Sequence, residues 1–179
     1  GKIDLAIEAY ERGIALEKTA PESAAYCYSN RAMIYESQEK FELALADYSK
    51  AIALDPNNPT RYTNRAYFYE GQNEENKALI DYSKAIELNP EDADNWYDRG
   101  DFHLNYDHDK EALHDFEEAL KINPALVDAI NWIGVIYLRQ GKIDLAIEAY
   151  ERGIALEKTA PESAAYCYSN RAMIYESQE

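Results

Sequence analysis

Apolar residues recur along this chain at helical spacing. Over 41–54, Phe41, Ala44, Leu45, Tyr48, Ala51, Ile52 and Leu54 fall on one face of a 3.6-residue helix. Further on, Ala78, Leu79, Tyr82, Ala85, Ile86 and Leu88 repeat that stripe. Polar, turn-forming stretches (EGQNEENK, NYDHDK) separate the two helices of a pair, and DPNNP or NPED separates one pair from the next. No segment sustains the alternation of a strand, so the pattern predicts an all-α chain.

The pairs repeat. Pro56, Pro90 and Pro124 close the motifs LDP, LNP and INP at intervals of 34 residues. Aligning on them divides a single array over 1–179 into units 25–58, 59–92 and 93–126, then a 38-residue unit at 127–164. A partial unit at 1–24 supplies only a second helix, roughly 1–17, and one at 165–179 only a first helix, roughly 163–177. Residues 1–39 are identical to 141–179, a second period of 140 residues. An excised or engineered array, or a recent duplication, is the expected origin of that identity.

Small and aromatic residues hold fixed places in these units. Position 4 reads Tyr28, Tyr62, Trp96, Ile130 and Tyr168; position 8 reads Ala32, Ala66, Gly100, Gly134 and Ala172. Position 20 reads Ala44, Ala78, Ala112 and Ala146, position 24 Tyr48, Tyr82, Phe116 and Tyr150, and position 27 Ala51, Ala85, Ala119 and Gly153. With Pro at 32 in three units, the pattern resembles the tetratricopeptide repeat. The resemblance implies a right-handed superhelical solenoid of antiparallel helix pairs, about ten helices in all. Departures are Ile130 at position 4, His103 at position 11 and Lys158 in place of Pro. A four-residue insertion in LEKTAPES predicts a longer helix or a wider loop near 156–164.

Position 7 departs from the leucine frequent in that family, reading Arg31, Arg65, Arg99, Ile133 and Arg171, while position 23 reads Asp47, Asp81, Asp115 and Ala149. In an antiparallel pair these positions lie opposite each other, as 8 does to 20 and 4 to 27. Arg therefore meets Asp inside each 34-residue unit, and Ile meets Ala in the longer one. Coincidence among common surface charges is the competing explanation.

By resemblance to the family, positions 2, 5, 6, 9, 12 and 13 line a concave groove that holds a protein or peptide. Candidate ligand-binding residues are then Asn30, Asn64, Tyr67, Asp94, Tyr97, Asp98, Asp101, Asn131, Trp132 and Asn170. Asparagine offers a donor and an acceptor to a peptide backbone, although a solvated position reads the same way. Asp94, Asp98, Asp101 and Asp128 make the face acidic, with Glu36 and Glu70 nearby, and Trp132 is an exposed anchor unless it packs on the next unit. Family members that bind chaperone tails clamp the terminal carboxylate with lysine and arginine at positions 2 and 6. Here Tyr26, Asp94 and Asp98 occupy those cationic places, so no carboxylate clamp is expected.

Charge narrows the partners. The chain carries 18 Lys and Arg against 34 Asp and Glu, a net charge of −16. That field disfavours nucleic acid and anionic membrane, favours a neutral to basic partner, and also serves plain solubility. Cys27 and Cys167 are copies of one position, which suits packed thiols in a reducing, cytoplasmic compartment rather than a disulfide. His103, His108 and His114 fall on different faces, so no metal is expected, and no motif suggests an enzyme or a cofactor. Two functions remain: an acidic-groove interaction scaffold, or a self-assembling array joined as a homo-oligomer through uncapped ends.

Overall fold

The computed structural model describes residues 1–177; the last two residues of the 165–179 fragment lie outside them. Among the described residues there are ten helices and no strand. They fall into two compact units, Gly1–Pro90 and Glu91–Glu179. The first holds α1 (Lys2–Ile14), α2 (Pro21–Ser37), α3 (Phe41–Leu54), α4 (Pro59–Gly71) and α5 (Glu75–Leu88). The second holds α6 (Ala93–Asn105), α7 (Asp109–Ile122), α8 (Val127–Arg139), α9 (Ile143–Ile154) and α10 (Pro161–Glu176). Hairpins form between α2 and α3, α4 and α5, α6 and α7, and α8 and α9. Within each unit successive pairs stack, and first helices lie beside one another, α2 against α4 and α8 against α10.

Local chemistry sets the helix ends. Glu39, Asn73, Asp107 and Gly141 each turn the chain with positive φ between 56° and 71°. The amide after each of them returns to the last turn of the first helix, as Glu74 does to the Tyr69 carbonyl at 2.9 Å. Asn58 and Asp92 cap α4 and α6 by accepting from the amides two residues on, both at 3.1 Å. The insertion in LEKTAPES adds no length to the preceding helix, which ends at Ile154. Part of it forms a wider turn; the rest becomes an extra N-terminal turn beginning at Pro161, as at Pro21 in the copy. Likewise α1 stops at Ile14, short of the expected 17.

Each hairpin closes on small residues. Ala32 with Ala44, and Ala66 with Ala78, are fully buried at the crossings. At Gly100 a β-carbon would stand 2.8 Å from the Phe116 ring, so only hydrogen fits. Close approach then lets the position-24 ring of the second helix fill the core, where Tyr48, Tyr82, Phe116 and Tyr150 are all buried.

Beside the crossing lies the expected polar pair. Arg31, Arg65 and Arg99 each donate from Nε to Oδ2 of Asp47, Asp81 and Asp115 at 2.7 Å. Nη2 completes a two-point clamp on Oδ1 at 2.8–2.9 Å. Aromatic residues flank the guanidinium: Tyr28 and Tyr35 lie 5.5 Å from Arg31, Tyr69 5.7 Å from Arg65, and Trp96 5.2 Å from Arg99. The 38-residue unit replaces the whole group with apolar contact among Ile130, Ile133 and Ala149. Arg171, on the last helix, meets Glu151 at 3.4 Å.

A second polar pair accompanies the first. Tyr48 donates to Glu36 at 2.9 Å and Tyr82 to Glu70 at 2.8 Å, joining positions 24 and 12. Where position 12 is Leu104, the ring is Phe116 and needs no acceptor. In the fourth pair position 12 is Leu138, and the buried hydroxyl of Tyr150 has no hydrogen-bond partner among the described residues.

Two outcomes follow from these pairs. Arg31→Leu or Asp47→Leu alone should cost about 2–4 kcal/mol by stranding a charge, and the double change should recover more than half of the summed loss. Additive losses in urea unfolding would show the two to be uncoupled. Tyr150→Phe should leave stability unchanged or raise it by about 1 kcal/mol, because it removes an orphaned hydroxyl; a loss of that size would mean the hydroxyl is satisfied.

Candidate functional site

In the first unit, α2 and α4 leave a groove of about 450 Å³ between them, lined by Met33, Glu36, Ser37, Tyr48, Asn64 and Tyr67. Its walls are mainly apolar, with Met33 and Tyr67 about half exposed. Tyr67 stands edge-on to Tyr82 at 5.5 Å, which fixes the ring while leaving a face open. The carboxylates of Glu36 and Glu70 are held by the tyrosine hydroxyls, and Tyr26 adds a further exposed ring on α2. Asn64 and Tyr67 are thus brought together. Asn30 is turned elsewhere, donating to the Tyr26 carbonyl of its own helix at 2.8 Å.

In the second unit an acidic face centres on Tyr97. Trp132 Nε1 donates to the Tyr97 hydroxyl at 3.2 Å, and the Tyr97 ring tilts against Phe116 at 5.6 Å. Burial, together with the charges of Asp101, Asp128 and Asp98, pushes the Tyr97 phenol up to about 12, while the Trp132 bond pulls the other way. Asp98 and Asp101 are partly buried, and Asp94 is exposed in the first turn of α6. Trp132 is not the open anchor the sequence suggested. It is partly buried, packing on the cluster of Phe116, Ile130 and Ile133. Its indole is turned toward α6, where Tyr97 offers an acceptor.

Position 5 is also more enclosed than a groove position. Ser29, Thr63 and Asn131 are buried at the seam between adjacent helices. Asn131 accepts from Asn170 at 2.9 Å, so these two candidates bind each other. Among the described residues no group of three or more His, Cys, Asp or Glu is arranged to hold a metal ion. His103 sits buried beside Asp115, and burial lowers its pKa. Cys27 and Cys167 are free thiols seated against Gly13 and Gly153, and burial pushes Cys167 up to about 11.

Family models described as tetratricopeptide repeat match residues 25–58, 59–92, 93–126 and 110–164, well over half of the chain. The chain belongs to the tetratricopeptide repeat family. None of the curated proteins matches it in sequence. Among solved structures, MamA is similar at 22% identity and a TM-score of 0.73, covering 90% of this chain and 92% of that one. YrrB, described as a tetratricopeptide repeat protein with an unusual peptide-binding site, is similar at 24% identity and a TM-score of 0.64. That match covers 93% of this chain and 85% of YrrB. The first tetratricopeptide repeat domain of Spaghetti (RPAP3), bound to the HSP90 peptide SRMEEVD, matches at 27% identity and a TM-score of 0.59. It covers 67% of this chain and 95% of that one.

Of the groove residues in this tetratricopeptide repeat chain, Met33 and Ser37 had a signal in the sequence, since both hold groove positions of their unit. Tyr48 had none: it comes from the second helix and reaches the groove edge only because the crossing is close.

The Tyr97 environment carries a pH signature. An unfolded tyrosine titrates near 10, so the stability gained by holding this phenol neutral is complete below pH 10 and is lost as pH rises toward about 12. Tyr97→Phe should cost about 1 kcal/mol at pH 7 through the lost Trp132 bond. That penalty should shrink in urea unfolding above pH 10; a constant penalty would mean the phenol is not perturbed.

Proposed function

We propose that the chain is a protein-interaction scaffold whose first helices hold a peptide or protein segment of neutral to basic character. The observation that carries this reading is the half-exposed apolar and aromatic groove of α2 and α4, edged by Glu36. The acidic face around Tyr97 gives the same preference in the second unit. Membership of the family and the peptide-bearing RPAP3 domain support it. The terminal carboxylate of such a chaperone peptide is not the ligand proposed here, because Asp94 and Asp98 would repel it. In the first unit Asn64 and Tyr67 are the contacts that grip such a segment; in the second, Asp94, Asp98 and Asp101 are the groups that attract cations. Asn30, Asn131, Trp132 and Asn170 support the surface and make fewer direct contacts.

No helix among the described residues is long and apolar enough to cross a membrane. Self-association through the outer helices is a second reading, motivated by the exposed Ala172, Met173 and Tyr175 of α10. Sedimentation over a range of concentration separates it from the first.

A peptide array sampling basic, neutral and acidic segments tests the scaffold reading. Basic and neutral peptides should be retained, with binding weakened roughly tenfold by Asp98→Lys or Tyr67→Ala and reduced by salt. Equal retention of acidic peptides, or indifference to both substitutions, would overturn it.

A further inference from the structure

The arginine at position 7 has recurring neighbours besides its aspartate. It approaches the tyrosine at position 11, with Tyr35 5.5 Å from Arg31 and Tyr69 5.7 Å from Arg65. Each of those rings takes a lysine as well, Lys40 at 5.9 Å and Lys77 at 5.4 Å. The guanidinium also reaches back to position 25 of the preceding second helix. Arg31 lies 3.7 Å from Glu11, Arg65 donates to the Ser49 hydroxyl at 3.3 Å, and Arg171 lies 3.4 Å from Glu151.

In the pair of α8 and α9 the arginine is replaced by Ile133 and the aspartate by Ala149, but the remaining surroundings persist. Tyr137 holds position 11 and keeps its lysine, Lys142 at 5.6 Å. Glu117 holds position 25 of α7, is exposed, and has no cationic partner among the described residues. A cleft of about 500 Å³ opens at this place, bounded by Ile133, Ala149, Tyr137 and Glu117. Leu120 and Leu145 extend its apolar wall, and Glu148 adds a second carboxylate. All three helices lie in the second compact unit, and none of these residues lines the groove of α2 and α4.

We propose that this cleft receives an arginine side chain of a partner protein, seated where the fourth pair lacks an arginine of its own. The guanidinium faces Tyr137 and donates to Glu117 and Glu148, while its methylenes lie on Ile133, Leu120 and Ala149. Arginine is favoured over lysine because its planar, weakly hydrated head can lie on a ring and bond two carboxylates at once. The cations on the rim are engaged elsewhere: Lys121 pairs with Glu118, and Arg152 donates to the Pro124 carbonyl at 3.3 Å. Glu117 and Glu148 are thus left without a counter-charge. A second copy of this chain is a poor source of the arginine, because two chains of net charge −16 repel each other. The cleft and the groove are separate surfaces, and either can hold its ligand without the other.

The test titrates the isotope-labelled full chain with the end-blocked tripeptide Leu-Arg-Leu, followed by amide shifts. Saturable shifts are expected at Tyr137, Leu145 and Ala149, with a Kd on the order of 1 mM for one anchoring side chain. Citrulline in place of the arginine keeps the shape and removes the charge, and should weaken binding about tenfold. Glu117→Gln, on the exposed side of α7, should weaken it roughly fivefold, whereas Tyr67→Ala in the groove should leave these shifts unchanged. Ile133→Arg combined with Ala149→Asp should abolish binding by filling the cleft from within; should that variant fail to fold, Glu117→Gln and the citrulline peptide decide. Equal binding of the citrulline peptide, indifference to Glu117→Gln, or no saturable shift around the cleft overturns the proposal. Shifts confined to Met33, Asn64 and Tyr67 would overturn it too, while leaving the groove reading in place.

Discussion

Two helices can present a shared face only if their backbones come close, and here that closeness depends on a methyl group or a hydrogen at each crossing. Ala32 on Ala44, Ala66 on Ala78, Gly100 beside Phe116 and Gly134 beside Tyr150 set the spacing of every complete pair. A larger residue would push the second helix outward and withdraw the position-24 ring from the core. The groove of α2 and α4 is a consequence of the same spacing, since Tyr48 reaches its edge from behind.

Polar chemistry then adds selectivity to a contact that shape alone leaves permissive. Each guanidinium is held against aromatic faces and closed by a carboxylate, which satisfies a charge that would otherwise be costly to cover. In the fourth pair the ion pair is absent as a complete set: Ile130 replaces an aromatic, Ile133 the arginine and Ala149 the aspartate. Those three departures are one physical change. The tyrosine–glutamate pairs follow a similar rule, broken at Tyr150, where the acceptor position holds Leu138.

Helix pairs and the arginine–aspartate contact were legible in the sequence because both recur at fixed spacing, and repetition exposes paired positions within a single chain. The Tyr48–Glu36 bond was equally available from position alone, but only two of the complete pairs carry it. Side-chain direction was less legible. Trp132 holds position 6 of its unit, yet its indole is drawn toward α6 by the Tyr97 hydroxyl instead of standing open. Asn131 was assigned to the groove by position and is instead taken up by Asn170 in the seam. Such outcomes depend on the neighbouring helix, which a single unit's pattern does not encode.

The functional account is that the exposed side of the first helices, not the outer side of the second, meets the partner. Amide chemical-shift mapping with a retained basic peptide measures this directly. The account predicts that the largest shifts fall on Met33, Asn64, Tyr67 and Asp98. Shifts confined to α7 and α9, around Glu117, Leu145 and Glu148, would contradict it.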